Sequence, residues 1–342
     1  MMNTEKIAAL LGGLKRPEIA PTPADVIYAE DRIRLLHYRP HAERVYSLPI
    51  LIVNSLVNKY YILDLTPGKS YVEYLLGQGF DVFMLDWGTP RDEDCFVSLG
   101  EHINKYLPHA VDAVLGYTGA KRISFIAYCM GGTMSLMYAA LHPEYLKNLV
   151  LLATPVDFHN DSTLSIWGRN LDVDALVDTY GNIPADVLRS AFSMLKPMKN
   201  LTKYIDLLEN IDNEEYVKIF LAFDYWVNDA VAIPGETFRQ FMKGTYQDNL
   251  FVRNKMKVGL KTINLAQVTC SILNVIAEHD DIVPPVSSEP LLKLVGSTDK
   301  EELRVKGGHH GLSIGLSAIK VVWPRSAAWL AKRSGKMRKV ST

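Results

Sequence analysis

The sequence predicts an α/β protein: a mostly parallel sheet covered on both faces by helices, with a helical cap inserted into it. Three observations predict it. Short, continuous apolar runs alternate with helical segments through the first half of the chain, the pattern of strands buried on both faces. Strand signals vanish between Val156 and Lys261 and then return. Residues 121–134, KRISFIAYCMGGTM, place a cysteine on a sharp turn between a strand and a helix.

Composition bounds the rest. The 342 residues are 48% hydrophobic and 22% charged, enough apolar mass for a full core. A net charge of −1 gives no basic face for nucleic acid. Three cysteines, Cys95, Cys129 and Cys270, make no disulfide framework and fit a reducing, cytoplasmic setting. Ile7–Leu11 is too short for the apolar region of a signal peptide, and no run reaches the length of a membrane span.

Taken in order, residues 1–25 form a lead-in with a short helix and three prolines, Pro17, Pro21 and Pro23. Val26–Tyr28 and Ile33–Tyr38 read as strands flanking a hairpin at Glu30-Asp31. Pro49–Val53 is a buried strand, followed by the polar and aromatic loop Asn54–Asp64. Ser70–Gln78 is helical and Gly79 ends it. Phe80–Leu85 is the next strand, and His102–Tyr117 has helical periodicity. The strand Ile123–Ala127, its helix to His142-Pro143 and the run Leu149–Ala153 complete the first part of the core, 26–155.

Residues 156–261 are aromatic-rich and helical throughout, which reads as a cap over the carboxyl edge of the sheet, where open α/β sheets hold their sites. The core resumes over 262–333 with a strand at Ser271–Ala277, a helix at Pro290–Val295, a strand at Leu303–Val305 and a closing helix at Ala318–Lys332. The tail, 334–342, is basic and expected to fray.

The turn at Tyr128-Cys129-Met130-Gly131-Gly132 is a nucleophile elbow in form, A-x-C-x-G-G where G-x-S-x-G is usual. The small residues Ala127, Gly131 and Gly132 let strand and helix close around a strained nucleophile. The free N–H groups and positive dipole end of the following helix favour a thiolate there, and later an oxyanion.

An acid and a base follow in the order of α/β-hydrolases. Asp280 stands just past a late strand in the Pro-braced loop Glu278–Pro285, with Asp281 and Glu278 as alternative acids. His309 directly follows the glycine pair Gly307-Gly308 and is the preferred base, with His310 as the alternative. His309 would take the thiol proton, and Asp280 would fix the imidazole tautomer. Backbone N–H groups of Met130 and, from the loop after Ile50–Val53, Val57 are the candidate oxyanion hole. Cys95 and Cys270 lack elbow context and read as packing residues.

Cysteine in place of serine points to acyl transfer. Thiolate attack on a thioester conserves the acyl group's activation, so that group can pass downhill to a hydroxyl. A cap that excludes water protects such an intermediate.

With these residues in view, the chain resembles the polyhydroxyalkanoate (PHA) synthases. Cys129-Met130-Gly131-Gly132 matches the second half of that family's G-x-C-x-G-G box. Asn58–Leu65, Thr154–Phe158, Asp280–Pro284 and Gly308-His309 are similar to its other characteristic stretches, as are Trp323-Pro324 and Trp329-Leu330. Trp226, Asp229, Pro234, Tyr246, Asn249 and Leu250 fall in a pattern like that of its later cap, so the likeness covers residues 25–333.

The resemblance implies an acyltransferase that polymerises (R)-3-hydroxyacyl-CoA of short chain length, 3-hydroxybutyryl-CoA above all, with release of CoA. Cys129 would carry the acyl group and growing polyester chain. His309 would activate it, and Asp280 would help to activate the incoming 3-hydroxyl. The length is similar to that of the short class III and class IV synthases, which implies a smaller second subunit. A homodimer, cytoplasmic granules, no cofactor and no metal are implied as well. Two departures stand out. Ala127 replaces the first glycine of the box and crowds the turn by one methyl. Asp281 replaces the usual histidine; if both carboxylates face His309, its pKa and the pH optimum rise. A thioesterase or polyester hydrolase on the same scaffold is the alternative activity. An acyl-CoA- or granule-binding protein without catalysis is the remaining one.

Overall fold

Eight strands pair into a single sheet in a computed structural model of the protein, which describes residues 17–195 and 197–339. They are β1 (Ala24–Glu30), β2 (Ile33–Tyr38), β3 (Ile50–Val53), β4 (Val82–Asp86), β5 (Ile123–Tyr128), β6 (Leu146–Leu152), β7 (Ser271–Ala277) and β8 (Lys300–Val305). Their order is β1-β2-β4-β3-β5-β6-β7-β8, with only β2 antiparallel to its neighbours.

Alternation along each central strand feeds two cores. Leu51, Val53, Phe125 and Ala127 face one layer, and Ile50, Ile52, Ile126 and Tyr128 the other. Helix α1 (Tyr71–Gly77) and the closing helix, whose regular part is Trp323–Ala331, cover the second layer. Helices α2 (Leu107–Thr118) and α3 (Met130–Leu141) cover the first. Both layers are needed because a parallel sheet has no solvated face.

Among the described residues, six α-helices of eight residues or more fill the stretch expected to be the cap: α4 (Thr163–Asn170), α5 (Val173–Tyr180), α6 (Ala185–Met194), α7 (Pro197–Glu209), α8 (Glu214–Asn228) and α9 (Gly235–Met242). The stretch expected to be wholly helical also holds a two-residue strand, Lys257–Val258, paired with Lys261–Thr262 across Gly259, whose φ is +62°. The helix expected from His102 starts at Leu99. Ser98 caps it by accepting from Glu101 N at 3.1 Å, while Glu101 accepts from Ser98 N at 2.8 Å. The helix expected at Pro290–Val295 is present as one turn, Leu291–Leu294, and another short helix, Pro285–Ser288, precedes it.

The tail departs most from expectation. Met337–Lys339 pairs antiparallel with Arg44–Tyr46, and Arg338 reaches Asp81 Oδ2 at 2.5 Å. Asp81 is buried, and its other oxygen lies 2.7 Å from His37 Nε2. A buried carboxylate needs such partners, and the basic tail supplies one. The short helix expected near the N-terminus lies outside the described residues.

Candidate active site

The elbow follows from close approach of backbones. Cys129 sits between β5 and α3 with φ +55° and ψ −126°, a conformation few non-glycine residues adopt. A Cβ on Gly131 would lie 2.5 Å from the carbonyl oxygens of Val53 and Asn54, and one on Gly132 would lie 1.9 Å from Thr154 Oγ1. Glycine is therefore required at both. Ala127 is buried within β5 and its methyl packs into the first core layer, so this departure from the box is accommodated by the core.

The carboxyl ends of β7 and β8 bring the acid and base to the same place. His309 Nδ1 lies 2.7 Å from Asp280 Oδ2, and both side chains are buried. Asp280 Oδ1 accepts from the backbone N–H groups of Ile282 at 2.9 Å and Val283 at 2.8 Å, which fixes the carboxylate. Cys129 lines the same cavity as His309, and the sulfur and the imidazole act on each other electrostatically. Glu278 and Asp281 are exposed, whereas Asp280 is buried against the imidazole.

The imidazole pKa is raised. Burial pushes His309 down, but the negative charges at Asp280 and Cys129, and the hydrogen bonds to them, more than offset it and hold the ring at about 10. His310 is the opposite case. Burial and the neighbouring His309 charge push it down to about 3, and its Nδ1 lies 3.2 Å from the Tyr128 hydroxyl. It packs edge-on against Phe223 and Trp226 of α8. Tyr128, buried beneath the elbow, donates to the carbonyl of His309 at 3.2 Å. Burial, then the charges at Cys129 and Asp280, keeps its phenol protonated well above the usual range.

Met130 is the first residue of α3, so its N–H has no intrahelical acceptor. Val57 N is 3.4 Å from Ser55 Oγ, a long contact that leaves it weakly engaged. Ser55 and Val57 line the space around Cys129. Cys270 is buried, and burial pushes its thiol up to about 12; Cys95 is half-buried.

Two cavities meet at Cys129. One, of 540 Å³, also reaches His309 and His310 and has polar side chains, Asn58, Lys59, Arg189 and Lys203, in its walls. The other, of 410 Å³, is almost wholly apolar, with Phe158, Phe238, Phe241 and Tyr246 among its walls. Leu188 and Phe192 of α6 line both. Tyr246, one residue of the later-cap pattern, proves to line the apolar chamber, and neither the double chamber nor the tie from Tyr128 to the histidine loop has a pattern in the sequence. Only the position of Tyr128 next to the nucleophile offered a signal.

An imidazole held by a buried carboxylate beside a cysteine on a strained turn can support transfer of an acyl group through the sulfur. With the strand order, this defines an α/β-hydrolase-fold protein with cysteine at the nucleophile position. The general model of the alpha/beta hydrolase fold matches residues 49–315, and a model described as the poly-beta-hydroxybutyrate polymerase (PhaC) N-terminus matches residues 15–75. The chain is 40% identical over 317 residues to the poly(3-hydroxyalkanoate) polymerase subunit PhaC of Allochromatium vinosum, covering 91% of this chain and 89% of that one. It is 35% identical over 334 residues to the subunit of the same name from Synechocystis, covering 94% and 88%. The Haloferax mediterranei subunit is 39% identical over 320 residues, 92% of this chain, but the match spans 65% of that longer protein. The chain belongs to the poly(3-hydroxyalkanoate) polymerase PhaC family. Among solved structures, a thermophilic esterase from Thermogutta terrifontis is similar in fold, with 16% identity, coverage of 91% and 99%, and a TM-score of 0.52.

Proposed function

We propose that this chain polymerises (R)-3-hydroxyacyl-CoA, 3-hydroxybutyryl-CoA above all, into polyhydroxyalkanoate through a covalent acyl group on Cys129. The observation that carries the reading is the cysteine itself, on the elbow and beside a histidine that Asp280 holds. His309 takes the thiol proton and the sulfur attacks the thioester carbonyl. The oxyanion is met by the Met130 N–H, with the Val57 N–H as second donor. The carbon–sulfur bond to CoA breaks, and His309 returns the proton to the leaving thiolate. The next 3-hydroxyl gives its proton to His309 and attacks the acyl-cysteine, forming an ester and freeing the thiolate. Because the acyl-cysteine is still a thioester, this second transfer runs downhill.

The cavity with Lys59, Arg189 and Lys203 in its walls suits the incoming CoA thioester, and the almost wholly apolar one suits an ester chain. No helix among the described residues is long and apolar enough to cross a membrane. We place the protein in the cytoplasm at the surface of polyester granules, as a homodimer that works with a smaller second subunit; the relatives' name, a polymerase subunit, supports a partner. The test is purified protein with 3-hydroxybutyryl-CoA, following CoA and the acyl group together. CoA release with insoluble polyester supports the polymerase. CoA release with only free acid makes this a thioesterase and overturns the reading. If no CoA is released, the assay is repeated with a candidate second subunit, and continued silence overturns it.

A further inference from the structure

The loop that follows β3 is clamped between the core and the cap. On the core side, Trp87 Nε1 donates to Asn54 O at 2.9 Å, and Asn54 Nδ2 donates to Tyr60 O at 2.6 Å. On the cap side, Trp226 Nε1 donates to Lys59 O at 2.9 Å, and the Tyr61 hydroxyl donates to Asp229 Oδ2 at 2.6 Å. Asn58 and Ala230 form an isolated antiparallel bridge, and Val231 N approaches Val57 O at 3.5 Å. These four cap-side contacts fall on residues 57–61, and all come from the end of α8 and the residues just after it.

Trp226 is the hub of this contact. Its ring is 3% exposed, stacks on Phe223 and meets the edge of His310, which bonds to Tyr128 beside the nucleophile. One indole therefore touches the loop that carries Val57 and the loop that carries His309. We infer that Trp226 is a positioning residue: its N–H bond to Lys59 O sets where the loop after β3 presents its backbone N–H to the oxyanion, so that cap position and oxyanion hole are one mechanical unit. Cap opening that breaks this bond withdraws one oxyanion donor while leaving Cys129, His309 and Asp280 in place. Acylation is then fast only with the cap seated, when water is also excluded.

The inference rests on acyl transfer at Cys129. Trp226→Phe keeps the aromatic packing and deletes the donor. Acylation is read with p-nitrophenyl butyrate, which reports transfer to the sulfur whatever the natural acyl donor, and in parallel with 3-hydroxybutyryl-CoA. The wild-type product decides between polymerase and hydrolase; the ratio of variant to wild type decides this inference in either case. The expected result is a fall in kcat of about 10- to 100-fold, the cost of a misplaced oxyanion donor. KM and the rate of Cys129 alkylation by iodoacetamide should stay near wild type, because alkylation needs the thiolate and no oxyanion hole. Tyr61→Phe, which removes the second side-chain tie, should give a smaller fall of the same kind, and serves if Trp226→Phe does not fold. An unchanged kcat in both variants, or a fall matched by equal loss of alkylation rate and of urea midpoint, overturns the inference.

Discussion

His309 Nδ1 stands 2.7 Å from Asp280 Oδ2, and the other oxygen of Asp280 is already occupied by two backbone N–H groups. The carboxylate cannot turn toward any other partner, so the imidazole presents its second nitrogen toward Cys129. His309→Gln should therefore lower acyl transfer by about 10²- to 10⁴-fold, the usual worth of a general base. Asp280→Asn should cost a comparable factor by releasing the tautomer. His310→Gln, at a ring bonded to Tyr128 and not to a carboxylate, should cost far less. Initial rates of CoA release for the three variants check this ordering.

The same pair sets a pH dependence of stability. The folded-state pKa of His309, about 10, lies above the unfolded value near 6.5. Its contribution is therefore complete below about pH 6.5 and is lost as pH rises through about 10. Urea midpoints of wild type and Asp280→Asn should differ most at the acidic end of that window and converge toward its alkaline end. A gap that widened with pH would contradict the assigned charge state.

The glycine pair differs in what each position tolerates. Gly132→Ala meets the side chain of Thr154, so it should cost about 1–3 kcal/mol and be partly rescued by Thr154→Ala. Gly131→Ala meets the carbonyl oxygens of Val53 and Asn54, which no side-chain change removes, so the same rescue should fail. Urea unfolding of the two single and two double variants decides it.

Arg338→Ala should destabilise the protein by about 1–3 kcal/mol, because it leaves the buried Asp81 short of a charged partner. The change lies at the tail strand, away from Cys129, so kcat and KM should hold. Thermal unfolding alongside the rate assay checks both halves.

Much of this arrangement is legible in the chain itself. Pro49–Val53 and Ser271–Ala277 announce buried strands because both faces of a parallel strand must be apolar, leaving a continuous run to read. The elbow and the loops at Asp280 and His309 are legible because turn chemistry is local. The early start of the helix at Leu99 was signalled by Ser98 and Glu101, a capping box that the periodicity alone does not reveal. Other features had no local signal. Arg338 finds Asp81 across 257 positions, and nothing near either residue foretells the pairing. Whether Asp281 faces His309 depends on the path of a loop, and alternating helix faces in the cap do not state which cavity they will line. Leu188 and Phe192 look like ordinary helix residues until both chambers are seen.

Those chambers have a pharmacological consequence. A small molecule lodged only in the 410 Å³ space would touch Phe158, Phe241 and Tyr246 and the sulfur, yet leave Lys59, Arg189 and Lys203 untouched. A second molecule confined to the 540 Å³ space would do the reverse. Inhibitors of the two kinds would bind together until either one reached across Cys129, and an electrophile built on one of them would reveal, by which competitor protects the thiol, which side of the sulfur it entered from.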